Sequence, residues 1–583
     1  MTVKMQVQRN IAEELFTAFP DLDFLSEQLR LGNAVELSIR QLTSPQIEHL
    51  EALFLKTGAS EGAMRAAHLA TLRKAFTDGS PRFSETDLEM AVPAIANFLM
   101  TDAIRGWMFT ATFSARPMPY CVTRLDYTPP SQDEAGKVYV ELKANAKAQV
   151  TSQVLRITTT DIVGKTVAEI FAEKGLLKES RELIDAYDAA IADYYDWRSQ
   201  YGAQFSAEGT GFFAEDPGST HRRTDWSRKD IVVLSSSGGQ ARLVNDESVL
   251  ANRDLTLDAP GDILGSYLRR AGKSNAFDAE DDVKELDATR DKALFTKLPI
   301  HPYILMFHLD LHHYVWVHVD DMVPYAYEPG LKEKLVLPPE QTDLIDILTA
   351  EMDVLMDDIV AGKSGGTTVL CAGPPGVGKT LTAEVYSEII KRPLYRVHSG
   401  QLGLNAAQME AELKQVLTRA QRWGAVMLID EADVYIKRRE DDIAMNAVVG
   451  VFLRVLEYFN GLLFLTTNRV DDIDEAIVSR CIALIKYYPP DNDARARIWT
   501  VMSQQFGLSI PAEFAAELAH MFPAATGRDI KGLAKLVSKY CQHKDVPPTK
   551  DVFIRCSIFR GIDLDHEDSA ALGEGAGLQS LAS

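Results

Sequence analysis

The sequence has few cysteines and no long apolar run. Its five cysteines are scattered, with no CxxC spacing and no neighbouring cluster of histidines, which argues against a disulfide framework and against a zinc module. No stretch of 18 or more apolar residues occurs, and the first residues, MTVKMQVQRNIAEELF, lack the apolar segment and cleavage site of a secretory signal. These absences predict a cytoplasmic protein that is neither exported nor membrane-spanning.

Positive charge is also scarce. The chain has 61 Lys and Arg against 83 Asp and Glu, a formal net charge of −22. Phosphate backbones and anionic lipid repel such a chain, which disfavours a nucleic-acid motor, although a locally basic pore is left open. Hydrophobic residues make up 46% and charged residues 25%, as in ordinary globular proteins. With 583 residues, several domains are expected.

Apolar periodicity predicts how the N-terminal half is organised. Apolar residues recur at helical spacing through residues 1–100, which predicts a helical N-terminal region. Residues 101–334 combine strand-like segments such as PYCVTRLDY and KVYVELKA with a helical stretch, which predicts an α+β substrate or adaptor domain. The Gly- and Ser-rich residues near 206–230 lack a period and are predicted to be a flexible insertion. At the other end of the chain, residues 563–583 have the composition of a disordered tail.

The segment FHLDLHHYVWVHV is rich in histidine. Read as one strand between His308 and His318, it places alternate side chains on one face, where neighbours could share a metal ion. The alternative is a half-buried strand whose histidines bond to adjacent backbone. No remote Cys or carboxylate cluster completes a coordination set, which favours this alternative. Upstream, the segments DIVVLSSS and GQARLVND predict a hairpin that turns at Gly238 and Gly239.

Residues 373–380 read GPPGVGKT, the G-x-x-x-x-G-K-[ST] pattern of a phosphate-binding loop. An apolar strand precedes the loop and the helix candidate LTAEVYSEII follows it, as the pattern requires. Lys379 is predicted to reach the β- and γ-phosphates, and the Thr380 hydroxyl is predicted to ligate Mg²⁺. ATP and Mg²⁺ are therefore the predicted cofactors. The predicted nucleotide-binding residues are Gly373, Pro374, Pro375, Gly376, Val377, Gly378, Lys379, Thr380 and Leu381.

Further candidate site residues follow this loop in order. Asp430 and Glu431 end the apolar run AVMLI, where Asp430 is predicted to hold Mg²⁺ through water and Glu431 to activate the attacking water. Asn468 ends the apolar segment LLFLTTN and could donate to the γ-phosphate, although alone it is only a polar strand terminus. Arg480 and Arg528 come next. Single arginines are usually solvated, so their order along the chain matters more than their identity.

The succession GPPGVGKT, LIDEAD, TTNR, VSRC and TGRDI resembles the motif series of the AAA+ ATPases. The resemblance implies an α/β P-loop domain at residues 335–490 and a helical lid at 491–562. It also implies that Asn468 is the residue called sensor 1 and that Arg528 is the sensor 2 arginine of the lid. By the same resemblance, Arg480 is an arginine finger that reaches the nucleotide of a neighbouring subunit.

The resemblance also carries expectations about assembly and function. Enzymes of this family form rings, so a homo-hexamer or another homo-oligomeric ring is expected. Longer segments such as NAVVGVFLRVLEYFNG resemble a little-characterised group of bacterial and fungal AAA ATPases with long N-terminal regions. The implied function is ATP-driven remodelling of a protein or protein complex that the N-terminal half selects. The alternatives are a nucleotide-gated scaffold or switch with slow turnover and, against the net charge, a nucleic-acid motor.

Two features depart from related threading enzymes. Those enzymes carry an aromatic-hydrophobic-Gly pore loop after the second strand, whereas this chain reads SGQLGLN. Leu402, Leu404 and Asn405 are therefore expected in place of the aromatic grip, which predicts limited pulling rather than complete threading. In addition, Arg480 stands alone where many relatives have two arginines.

Overall fold

The structure of most of the chain is described by a computed structural model. It covers residues 4–30, 34–38, 42–56, 62, 65–66, 69–70, 73, 82–110, 116–146, 149–214, 230–236, 239–247, 263–275, 277–350, 366–403, 405–438 and 443–562. The predicted tail at 563–583 and Leu404 of the predicted pore loop lie outside these residues. Within the described residues, no helix is long and apolar enough to cross a membrane.

The N-terminal region mixes strands with helices, so the prediction that it is helical throughout is wrong. Its described residues include the antiparallel strands β1 (Lys4–Gln8) and β2 (Ala34–Ser38) and the helices α1 (Arg9–Ala18), α2 (Asp23–Leu29) and α3 (Ser44–Lys56). The strand sequences KMQVQ and AVELS alternate apolar and polar residues, and their central apolar side chains are fully buried. Each strand has only five residues, so the longer helical pattern around it hides the period of two.

Two antiparallel sheets with accompanying helices follow. The first sheet has the order β6-β5-β4-β3-β7, with β3 (Trp107–Thr110), β4 (Pro119–Thr128), β5 (Lys137–Ala146), β6 (Gln149–Ile157) and β7 (Leu176–Lys178). The second has the order β10-β9-β13-β12-β11-β8-β14, with β8 (Gln204–Ala207), β9 (Gly209–Phe213), β10 (Ile231–Ser236), β11 (Gly239–Asn245), β12 (Tyr303–His308), β13 (His313–His318) and β14 (Met322–Pro324). The helices are α4 (Ala91–Met100), α5 (Thr159–Ile162), α6 (Val167–Glu173), α7 (Arg181–Arg198), α8 (Gly265–Ser274) and α9 (Glu280–Thr289).

The prediction of a flexible insertion near 206–230 is wrong for the first part of that segment. Strands β8 and β9 occupy that part, and residues 215–229 lie outside the described residues. The glycine content of this segment suggested a loop, but glycine here allows neighbouring strands to pair closely. A Cβ at Gly211 of β9 would lie 2.9 Å from the carbonyl oxygen of Trp316 on β13, so glycine permits the close backbone approach.

The histidine-rich segment is a hairpin rather than one strand. Strands β12 and β13 pair antiparallel with His308 opposite His313. His308 is buried, and its Nδ1 accepts hydrogen bonds from the backbone N–H groups of Asp310 and Leu311, both at 3.3 Å. Burial lowers the pKa of His308 to about 4. The contacts match the alternative of backbone-bonded histidines, and the described residues contain no group of three His, Cys, Asp or Glu side chains that could hold a metal ion.

A five-stranded parallel sheet forms the next domain. Its order is β16-β17-β18-β15-β19, with β15 (Thr367–Ala372), β16 (Leu394–His398), β17 (Val426–Asp430), β18 (Leu462–Thr467) and β19 (Ala483–Lys486). The helices before and between these strands are α10 (Pro339–Ala350), α11 (Lys379–Ile389), α12 (Ser399–Leu402), α13 (Ala406–Trp423), α14 (Asp433–Ile436), α15 (Ile443–Leu456) and α16 (Glu475–Val478). Alternate strand residues enter two separate apolar cores, so both faces of the sheet are covered.

The C-terminal described residues are helical and have a core of their own. They form α17 (Asn492–Gln505), α18 (Ala512–Met521), α19 (Gly527–Lys544) and α20 (Lys550–Ile558). Trp499 and Phe553 are fully buried between these helices, with their rings 5.5 Å apart. This helical unit is packed independently of the cores on the parallel sheet.

The largest apolar core joins the antiparallel sheets to one face of the parallel sheet. At the junction, the ring of Phe307 on β12 lies 5.0 Å from that of Trp423 and 5.5 Å from that of Tyr395. Gly202 approaches α13 so closely that a Cβ would lie 2.7 Å from the carbonyl oxygen of Trp423. The antiparallel domain is therefore packed directly against helix α13 and strand β16.

Candidate functional site

The predicted phosphate-binding loop lies between strand β15 and helix α11. Gly376 and Gly378 have φ angles of +83° and +102°, in the left-handed region that favours glycine. Helix α11 begins at Lys379, so its first backbone N–H groups have no partner within the helix and can bind an anion. Residues 375–381 line a cavity of about 1040 Å³. The loop therefore presents hydrogen-bond donors to a space large enough for a nucleotide.

Lys379 connects the loop to the end of strand β18. Its side chain is buried, and Nζ donates to the carbonyl oxygens of Gly373 and Pro374, both at 2.7 Å, and to Oδ1 of Asn468 at 3.0 Å. Burial lowers the pKa of Lys379, and the nearby carboxylate of Asp433 offsets part of that effect. Gly373 and Pro374 do not line the cavity; their carbonyl groups hold the lysine instead.

Asp430 ends strand β17, and both of its carboxylate oxygens are held. Oδ1 accepts hydrogen bonds from the hydroxyls of Thr380, at 3.0 Å, and Thr466, and Oδ2 accepts one from Nη2 of Arg396 at 2.6 Å. Burial alone would raise the pKa of Asp430, but the Thr466 hydroxyl and the Arg396 charge outweigh it and hold that pKa below its usual range. Sequence analysis missed Thr466 and Arg396, whose only signals were a polar strand end and a lone charge in LYRVH.

The oxygen atoms of Thr380 and Asp430 are suitable ligands for Mg²⁺. The Thr380 hydroxyl and the Asp430 carboxylate lie 3.0 Å apart beside the loop. Mg²⁺ prefers oxygen ligands, and it usually takes one or two from the protein and the others from water and substrate phosphates. Two adjacent protein donors are therefore sufficient.

Glu431 and Asn468 line the same cavity. Glu431 is exposed, and its φ of +57° is a left-handed conformation that costs a non-glycine residue about 1–3 kcal/mol. Its backbone N–H donates to Oγ1 of Thr466 at 3.0 Å, which turns the chain after β17. Asp433, also missed from the sequence, accepts hydrogen bonds from the backbone N–H of Asn468 at 3.0 Å and from the Thr467 hydroxyl. These contacts set the position of the Asn468 amide.

The two predicted arginines lie in different places. Arg528, in the first turn of α19, lines the cavity, and its backbone N–H donates to the carbonyl of Gly376 at 3.2 Å. Arg480 does not line the cavity. Its exposed side chain donates from Nε to Glu457 at 3.1 Å and from Nη1 to the carbonyl of Ala476 at 3.1 Å. The structure therefore gathers the predicted catalytic residues at one cavity, except Arg480.

The antiparallel domain adds a residue to the cavity that sequence analysis missed. Arg242 of β11 lines it beside Glu384 of α11, and Nη2 of Arg242 pairs with Asp310 at 3.0 Å. The hydroxyl of Tyr325 donates to Glu388 of α11 at 2.7 Å. No local signal marks Arg242, because its position depends on how the two domains pack.

The described residues of the predicted pore loop pack against their own domain. Leu402 is only 1% exposed, and the Asn405 side chain caps helix α13. The hydroxyl of Tyr435 lies 2.6 Å from the carbonyl oxygen of Ser399 and 2.9 Å from that of Gly403. This tyrosine holds both ends of the short helix α12.

The part of the chain that matches a known protein family is the part that forms the parallel sheet. Residues 369–487 match the model of the family described as "ATPase family associated with various cellular activities (AAA)". Proteasome-activating nucleotidase 1 of Haloferax volcanii is 29% identical over 200 residues, 32% of this chain and 49% of the relative. Cell division control protein 48 homolog C of Arabidopsis thaliana is 26% identical over 193 residues, 29% of this chain and 23% of the relative. The 26S proteasome regulatory subunit 7 of Dictyostelium discoideum is 28% identical over 180 residues, 28% of this chain and 41% of the relative. The chain thus spans less than half the length of each of these relatives.

Proposed function

We propose, from the premise that residues 369–487 form an ATPase domain of the AAA family, that the chain hydrolyses ATP with Mg²⁺ to remodel a protein or protein complex. The observation that supports hydrolysis is the single cavity bordered by Lys379, Asp430, Asn468 and Arg528. Remodelling is supported by similarity to two relatives that are named for the proteasome. The net charge of −22 weighs against a nucleic-acid substrate.

The residues around the cavity have complementary tasks in phosphate binding. Lys379 exchanges its bonds to the loop carbonyls for bonds to the β- and γ-phosphates, while the free N–H groups at the start of α11 bind phosphate oxygens. Thr380 and Asp430 would hold Mg²⁺, which would supply positive charge to the phosphate oxygens. Arg528 approaches from the helical lid, and the Asn468 amide holds the γ-phosphate or the attacking water.

Glu431 orients and activates the attacking water. Its side chain is exposed at the cavity wall, directly after the carboxylate of Asp430. Glu431→Gln keeps the shape but removes the charge, so this variant should bind ATP and hydrolyse it about two to four decades more slowly. Nucleotide affinity and single-turnover hydrolysis measure the two steps separately. Hydrolysis close to the rate of the unmodified chain would rule out this role.

We propose that a second copy of the chain completes the site. Arg480 is exposed, bonds to Glu457 and does not line the cavity of its own subunit. A role at a nucleotide therefore requires the nucleotide of a neighbour. A homo-hexamer or another homo-oligomeric ring gives every Arg480 such a neighbour.

A nucleotide-gated switch is a second candidate, and the folded pore loop favours it. Leu402 is buried, and Tyr435 bonds to the carbonyl groups of Ser399 and Gly403, so Leu402 offers little apolar area for gripping a chain. The two functions differ in their response to a partner. A partner recovered with the ATP-bound Glu431→Gln variant should accelerate hydrolysis by a remodeller. With a switch, the partner should leave ATP hydrolysis slow, while binding of the partner should still depend on the bound nucleotide.

The products of the reaction separate the modes of remodelling. The partner segment is fused to a stable fluorescent domain and incubated with the ring and ATP. Loss of fluorescence across the domain indicates complete threading, whereas release of the intact domain from its complex indicates limited pulling. Because Leu402 of the predicted pore loop is buried, we expect release of the intact domain.

A further inference from the structure

A series of alternating charges connects the metal-binding carboxylate to the antiparallel domain. Nη2 of Arg396 lies 2.6 Å from Oδ2 of Asp430, and Nη1 lies 3.7 Å from Oε1 of Glu384. Burial raises the pKa of the Glu384 carboxyl, and the charges of Arg396 and Arg242 act against it. Arg242 in turn pairs with Asp310 at 3.0 Å. The series crosses from the parallel sheet to strand β11.

Arg396 is only partly exposed. It lies within β16 with its side chain 41% exposed, and its Nε is buried without a hydrogen-bond partner among the residues that the structure describes. A buried donor without a partner costs free energy, so the remaining contacts must retain the side chain. Those contacts are the two carboxylates of Asp430 and Glu384.

We propose that Arg396 is a positioning residue that orients Asp430 and weakens divalent-cation binding there, and that Arg242 extends this control to the antiparallel domain through Glu384. The inference rests on the proposed ATPase function. An Asp430 carboxylate bonded to Arg396 through Oδ2 cannot rotate freely, and a guanidinium beside a cation site repels the cation. Arg242 competes with Arg396 for Glu384. Loss of Arg242 therefore strengthens the attraction between Glu384 and Arg396, and this weakens the contact of Arg396 with Asp430.

Divalent-cation affinity tests this role independently of turnover. Mn²⁺ is titrated against the full-length chain with saturating ADP, and free Mn²⁺ is measured by electron paramagnetic resonance. Arg396→Met should bind Mn²⁺ about three- to tenfold more tightly, because one positive charge near the cation is lost. Arg396→Lys keeps the charge and should stay within about twofold of the unmodified chain. The control Arg454→Met removes an arginine that pairs with Glu410 at 2.6 Å elsewhere on the domain, and it should change nothing.

A double-mutant cycle tests the connection to Arg242. Arg242→Met alone should tighten Mn²⁺ binding about twofold, and it should add nothing in the Arg396→Met background. If Arg396→Met does not fold, Glu384→Gln replaces it in the cycle and should likewise cancel the effect of Arg242→Met. Additive effects would indicate direct action of Arg242 on the cation and would overturn the connection.

The remaining outcomes separate this inference from the proposed function. Unchanged or weaker Mn²⁺ binding by Arg396→Met would overturn the role of Arg396 while leaving the ATPase proposal intact. An unmodified chain that binds neither ADP nor Mn²⁺ would overturn both. Tighter binding by Arg396→Met, with Arg396→Lys and Arg454→Met unchanged, supports the positioning role, because general loss of structure would weaken binding.

Discussion

Asp246 is a polar anchor between the antiparallel domain and the parallel-sheet domain, and removing it should loosen that junction. It directly follows strand β11 and is fully buried. Its Oδ1 accepts hydrogen bonds from the guanidinium of Arg422 and from Nε1 of Trp423, the latter at 3.0 Å. Its Oδ2 accepts one from the hydroxyl of Tyr314 at 2.7 Å. One carboxylate thus holds donors from both domains.

The magnitude follows from the donors that Asp246→Ala leaves behind. Removing one partner of a buried ion pair costs about 3–5 kcal/mol. The side chain of Arg422 is 36% exposed and can regain water, which places the expected loss near the lower end, at about 3 kcal/mol. Asp246→Asn keeps the volume and one acceptor but loses the charge, so about 1–2 kcal/mol is expected.

Native-state hydrogen exchange measures this loss where it occurs. The opening free energy of amides in β11 and at the end of α13 should fall by the stated amounts. The matched control is Asp188→Ala, which removes a surface carboxylate bonded to Arg105 at 2.7 and 2.8 Å and should cost about 0–1 kcal/mol. A loss for Asp246→Ala no larger than that of the control would refute the reasoning.

Three further predictions concern the nucleotide site, the ring and acid stability. Lys379→Ala should lose fluorescent-nucleotide affinity because the phosphates lose their main cation, and unchanged affinity in a folded variant would reject the loop assignment. Arg480→Ala subunits should bind ATP but hydrolyse it about three to five decades more slowly, and mixing them with Lys379→Ala subunits should restore some activity; mixed rings without recovery would contradict a trans finger. Burial opposes ionisation of Asp161, but Lys174 and the backbone and side chain of Thr158 hold its pKa below the ordinary 3.8. Its stabilising effect is therefore complete above that value and is lost as pH falls through the lower folded-state pKa. In denaturant titrations, Asp161→Asn should destabilise the protein fully near about pH 7, and the loss should shrink as the pH is lowered below 3.8.

The grouping of the candidate nucleotide-site residues could be predicted because it follows from local sequence and parallel topology. GPPGVGKT is contiguous, and its strand-loop-helix context can be read directly. Asp430 ends strand β17 and Asn468 directly follows strand β18; β18 is paired with β15, and β17 is the next strand in the sheet. Carboxyl ends of neighbouring parallel strands meet at one edge, so these side chains had to approach the loop.

The remaining features depend on contacts between distant parts of the chain. Strands β1 and β2 exist because they pair with each other, and neither has enough residues to show its period against the adjoining helices. The histidine hairpin turns in a segment without glycine, proline or asparagine, and His312 supplies the left-handed φ of +55°. Arg242 reaches the cavity only because the domains pack together.

Strand β11 connects the antiparallel domain to the nucleotide cavity in two ways. Arg242 lines the cavity, and Asp246, four residues later, holds Arg422 and Trp423 at the junction. Positions an even number apart along an extended chain point to the same side, which here faces the parallel-sheet domain. One short segment therefore carries both a cation of the candidate nucleotide site and a buried anchor of the junction. Breaking the buried Asp246 contacts is expected to cost more free energy than breaking the partly exposed pair of Arg242 with Asp310.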